Sequence, residues 1–68
     1  MRLYRMITGP DDSAFCHRIS KAISSGWELH GSASLTFDPT QNRVICGQAI
    51  TKVVEDKVYH EDMTLGAY

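Results

Sequence analysis

Trp27-Glu28-Leu29-His30-Gly31-Ser32-Ala33-Ser34-Leu35-Thr36-Phe37 alternates without interruption. Trp27, Leu29, Gly31, Ala33, Leu35 and Phe37 take one parity, and Glu28, His30, Ser32, Ser34 and Thr36 the other. Side chains of an extended strand point to opposite faces with period two. The segment therefore predicts a strand in a sheet with one dry face and one wet face.

A helix is expected just before it. Phe15, Ile19, Ala22 and Ile23 recur at i, i+4, i+7 and i+8, which is a single apolar stripe. Gly9-Pro10-Asp11-Asp12 reads as its start, with proline in the first turn and two aspartates at the positive end of the dipole. Gly26 supplies the left-handed residue that ends it, and Trp27 follows where a contact back onto the last turn is usual. Trp27 is thus expected in the core rather than as a stacking platform. Further upstream, Leu3 to Thr8 is long enough for one strand. Its buried pair is either Leu3 with Ile7 or Tyr4 with Met6, since both sets are apolar.

Asp38-Pro39-Thr40-Gln41-Asn42 is a turn, and Arg43 to about Val53 a third strand. Pairing Phe37 with Arg43 sets Leu35 opposite Ile45, Ala33 opposite Gly47 and Gly31 opposite Ala49 on the dry face. A shift of one residue puts Gln48 and Lys52 there instead. The first register is the expected one. It aims Val44, Cys46, Gln48 and Ile50 away from the helix, and it leaves small residues where the helix approaches. The fold class follows as α+β, strand-helix-strand-strand: a three-stranded sheet with one helix packed on one face. With the third strand slotted between the first two, it is half of a ferredoxin-like fold. Residues 1–54 form the single domain. Residues 55–68, which fit neither period, form a C-terminal tail that is partly ordered or touches a partner.

Composition narrows the function classes. The chain has 68 residues, so folding removes only about 60% of the accessible surface, and oligomerisation is a common remedy. Seven basic and eight acidic side chains give a net charge of −1 without blocks of like charge. That argues against nucleic acid and against polybasic attachment to a membrane. No stretch has signal-peptide character or the length of a membrane span, so the expected location is cytoplasmic, with Cys16 and Cys46 reduced. Two cysteines and three scattered histidines match no zinc spacing, and no cofactor is expected.

Tyr4, Thr8-Gly9-Pro10-Asp11-Asp12, Phe15-Cys16, Gly26-Trp27-Glu28-Leu29, Phe37-Asp38-Pro39 and Cys46-Gly47-Gln48-Ala49 together resemble the small bacterial proteins of domain-of-unknown-function family 1737. The resemblance covers roughly residues 1 to 54. Gly26-Trp27-Glu28-Leu29 after a helix is also similar to the small family 4177, likewise of unknown function. These resemblances imply a compact strand-helix-strand-strand domain and transfer no catalytic residue.

Few constellations suggest chemistry. Cys16 and His17 are helix neighbours and point about 100° apart. Asp11 and Asp12 read as capping groups rather than an acid–base pair. His30, Ser32, Ser34 and Thr36 share one exposed strand face, which offers no concavity for a nucleophile. The expected function is a non-catalytic interaction module, self-associating as a homodimer. Its half-apolar second face, with Val44, Cys46, Gln48 and Ile50, is covered by a second copy or by the tail through Val58, Tyr59, Met63 and Leu65. The alternative is a small-molecule-binding or enzymatic domain using a polar sheet face around His30, Cys46 and Gln48.

Overall fold

The structure is a computed structural model that describes residues 1–68. Strand β1 (Arg2–Pro10), helix α1 (Ser13–Ser24), strand β2 (Glu28–Asp38) and strand β3 (Arg43–Val53) follow in that order, and a short 3-10 turn covers Leu65–Ala67. The strands form one antiparallel sheet in the order β1-β3-β2, so the last strand lies in the middle. The α+β architecture expected from the sequence is the one observed.

Local chemistry sets both helix ends. Asp12 is the N-cap, extended in backbone, and its carboxylate accepts the Phe15 N–H at 3.0 Å. Pro10 does not enter the helix, as its position near the start suggested; it is the last residue of β1. Its carbonyl accepts the Asp12 N–H at 2.9 Å, and the Asp11 N–H donates to the Val44 carbonyl at 3.0 Å. These bonds tie the strand-to-helix corner to β3. At the other end Gly26 has φ +96°, and the Gly26 and Trp27 N–H groups return to the Ile23 and Ala22 carbonyls. The left-handed glycine satisfies carbonyls that would otherwise be orphaned.

The hairpin register differs from the expected one. Asp38 pairs with Arg43, and Phe37 with Val44, leaving a four-residue loop. The Asp38 carboxylate accepts the Thr40 N–H at 2.9 Å and the Thr40 hydroxyl at 2.6 Å, and Asn42 takes φ 53° to close the turn. Turn geometry fixes register, and a shift of one residue inverts the partner strand. Val44, Cys46, Gln48 and Ile50 therefore face the helix, and Ile45, Gly47 and Ala49 face away. A second irregularity follows: His30 pairs with Ala49 but Ser34 with Gly47, so β2 carries two extra residues around Gly31, whose φ is +73°. This bulge, not a close helix approach, occupies the Gly31–Ala33 segment.

Leu3, Ile7, Ala22, Trp27 and Ile50 form the core, with Phe15, Ile19, Leu65 and Tyr68 packed around it. Of the two pairs possible on β1, Leu3 and Ile7 point inward, while Tyr4 and Met6 remain half exposed. The core thus sits between α1 and the β1–β3 side of the sheet. Residues after Val54 do not cover the opposite face: Leu65 and Tyr68 fold back onto this same core, and Val58 and Tyr59 stay exposed. Lys52 fastens the return, its ammonium donating to the Ser25 carbonyl at 2.7 Å and to the Tyr68 carbonyl.

Candidate functional site

The residues expected to share a polar sheet face are not brought together. His30 pairs with Ala49 on the face away from the helix, whereas Cys46, Gln48 and Ile50 are buried on the helix side. Val44 lies on that helix side too, at the hairpin end, and is partly exposed. The one-residue shift at the turn is the cause, because it moved every β3 side chain to the other face.

Each buried group has a structural task. The Gln48 amide donates to the carbonyls of Ala49 at 2.9 Å, Gly31 at 3.3 Å and His30 at 3.4 Å, holding the bulge of β2 against β3. A buried amide needs such partners, and the bulge carbonyls need a donor. The Cys46 thiol lies 3.4 Å from the Gly9 carbonyl. Burial pushes its pKa up, and Asp11, Cys16 and Asp12 add to the shift. A thiol so placed is held in its unreactive protonated form. Cys16 is exposed, and no group of three or more His, Cys, Asp or Glu side chains is arranged to hold a metal ion.

What the structure exposes is β2 itself. None of its eleven residues is buried, although it belongs to a continuous sheet. Its dry parity is intact, with Leu29, Leu35 and Phe37 on the helix side, yet these side chains are 53%, 67% and 55% exposed. The reason is size. A twelve-residue helix is about 18 Å long and about 10 Å wide, whereas an eleven-residue strand runs about 36 Å. The core beneath the single helix is drawn from β1 and β3, and β2, although the helix touches it, keeps its side chains exposed. Phe15 and Ile19 of α1 and Leu29 and Ala33 of β2 border an open apolar groove of about 250 Å³ between helix and strand. Val44 extends the stripe beside Phe37. The alternation of β2 had marked these residues as core, and only the width of one helix against three strands signals that they are not.

The backbone of β2 is equally open. One side pairs with β3 and the other pairs with nothing. Edge strands are ordinarily blunted by lysine, proline, charges or a bulge, and the bulge at Gly31 does this only for the first part of β2. Here the only charged residues are Glu28 and Asp38 at its two ends, and neither lysine nor proline interrupts it. An apolar stripe and an unpaired backbone edge thus coincide on one strand.

No curated protein and no solved structure matches the chain. The sequence model of the family described as Domain of unknown function (DUF1737) matches residues 1–53, a span that takes in all three strands and the helix. The chain belongs to the DUF1737 family.

Proposed function

We propose that this protein is a non-catalytic interaction module that works as a homodimer, joined through β2 to β2 of a second copy. The observation that carries the reading is the absence of any buried residue along an eleven-residue edge strand whose dry parity is apolar. Beyond the bulge, Ser34–Asp38 pairs regularly with β3. Antiparallel pairing of two such segments about Thr36 sets Leu35 of one copy opposite Phe37 of the other, twice over by symmetry. The same operation continues the sheet to six strands and covers the apolar stripe on both copies. A second copy is the fitting occupant because the segment is self-complementary and uncharged between its ends. The resemblance drawn from the sequence implies a bacterial source, and two free thiols fit a cytoplasmic setting.

Sedimentation velocity tests the reading. The full chain is expected to sediment as a dimer, and Leu35→Lys as a monomer that keeps the thermal stability of its isolated fold. A full chain that stays monomeric at high concentration, or a Leu35→Lys protein that still dimerises, overturns it.

A further inference from the structure

On the far side of α1 from β2, a cavity of about 210 Å³ opens between the helix, β1 and the Gly66–Tyr68 turn. Three cationic side chains line it, Arg5 from β1 and Arg18 and Lys21 from α1, beside the polar Ser25 and Tyr68, and no Asp or Glu side chain does. This is unexpected in a chain of net charge −1, where acidic residues outnumber basic ones. None of the three cations is neutralised nearby, since the ion pair of the structure is Arg43 with Asp12 at 3.5 Å.

The site is also organised. Arg5 lies over the Trp27 ring, 5.4 Å from its centroid, and that stacking holds the guanidinium at the cavity wall. One Arg18 nitrogen donates to the Thr8 carbonyl at 2.9 Å, which anchors the side chain and leaves most of its five N–H donors free. Lys21 contributes three rotatable donors from the last turn of α1. The carbonyls of that turn are already capped by Ser25, Gly26 and Trp27, so the negative end of the helix is muted there.

We propose that this cavity binds a phosphate group, free or carried as the monoester of a small metabolite. Cationic donors from two elements line one cavity, which suits a tetrahedral dianion. A carboxylate is planar and is satisfied by a single bidentate arginine. The volume exceeds what phosphate alone fills and leaves room for a short organic substituent. Three cations in one hollow, rather than a stripe along a face, select a small anion over a polyanionic strand. The inference is independent of dimerisation, because the cavity and β2 lie on opposite sides of the helix.

Trp27 is the only tryptophan and lines the cavity, so the molecule carries its own reporter. The full chain is titrated with sodium phosphate at constant ionic strength, following Trp27 fluorescence and the amide resonances of Gly66 and Ala67. A saturable change in both is expected. Lys21→Gln alters an exposed side chain and is expected to keep the melting temperature, Arg18→Gln to lower it slightly through the lost bond to Thr8, and each to raise the dissociation constant about tenfold. A parallel titration with glycerol 3-phosphate separates the two sources: clearly tighter binding of the ester assigns a phosphorylated metabolite, and equal affinity assigns free phosphate. A response that does not saturate, one that sodium succinate reproduces at equal affinity, or affinities unchanged in both variants overturns the proposal.

Discussion

The two edges of the sheet are finished differently. β1 sends Leu3 and Ile7 into the core, lies under the helix, carries Arg2 and Arg5, and ends in proline. Its ladder with β3 also runs one residue further, with Met1 and Val54 exchanging hydrogen bonds at 2.7 and 2.8 Å, and Leu65 and Tyr68 pack on the core it helps to build. β2 has the cleaner amphipathic sequence of the two and yet buries nothing. Amphipathic pattern states which face wants to be dry. Whether it becomes dry depends on how far the covering element reaches, and one helix of twelve residues reaches across two strands.

The sharpest way to break this contrast is to truncate side chains on its two sides. Trp27→Ala removes a ring that is 3% exposed and stands at the junction of helix, sheet and tail. It is expected to destabilise the fold by roughly 3–5 kcal/mol, enough to unfold so small a domain. Leu35→Ala, of similar hydrophobic character but on β2, is expected to cost the monomer less than about 0.5 kcal/mol. Denaturant melts of both variants at low protein concentration check the pair. Similar losses would show that β2 is as well packed as the core.

A smaller effect sharpens the other side. Removing the residues after Asp56 deletes Leu65 and Tyr68 from the core margin and leaves the Lys52 ammonium with the Ser25 carbonyl alone. The expected loss is about 1–3 kcal/mol from the apolar area uncovered, with β1 amides gaining hydrogen-exchange rate and β2 amides unchanged. Equal acceleration in both strands, or in neither, would remove the asymmetry.

The smallest test lies at the hairpin. Hydrogen bonds from the Thr40 hydroxyl and then the Thr40 N–H hold the Asp38 pKa below its ordinary value. A carboxyl depressed in the folded state stabilises it above the unfolded pKa, and that contribution is lost as pH falls through the folded pKa. Asp38→Ala should therefore be slightly less stable than the parent at neutral pH. The gap should close below the ordinary carboxylate range, as followed by thermal melts across pH. A gap that persists in acid would mean that the turn rests on something other than the ionised carboxylate.

Much of this architecture is legible in the residues. Three of the four stripe residues of α1 (Phe15, Ile19 and Ala22, with Ile23 exposed), the left-handed Gly26, the core position of Trp27 and the central place of β3 all follow from the residues. The face of β3 does not. Val44, Cys46, Gln48 and Ile50 compete with Ile45, Gly47 and Ala49 as apolar sets, and Gln48 and Lys52 weigh against the first. Both polar residues sit on the helix side because each finds partners there. Gln48 serves the bulge carbonyls, and Lys52 lays its stem along the core and sends its charge to Ser25 and Tyr68. Gly31 in mid-strand was the available sign of a bulge, and a bulge opposite Gln48 supplies the acceptors that the amide needs. The cationic cavity was hidden for another reason. Arg5 and Arg18 come together only through the crossover from β1 to α1, which no local spacing records.

The unlike finish of the two edges also limits how many copies can join. A sheet with two bare margins can grow indefinitely, each newcomer offering a fresh margin to the next, and such growth is the route to fibrils. Both margins of this sheet are unpaired, but β1 carries two arginines and ends in proline, whereas β2 has neither lysine nor proline. Once two copies meet through β2 about a two-fold axis, the margins left outward are both β1, with arginines and a proline on each. Under the proposed pairing a third copy would meet only edges blunted by charge and proline, so that assembly would stop at two copies.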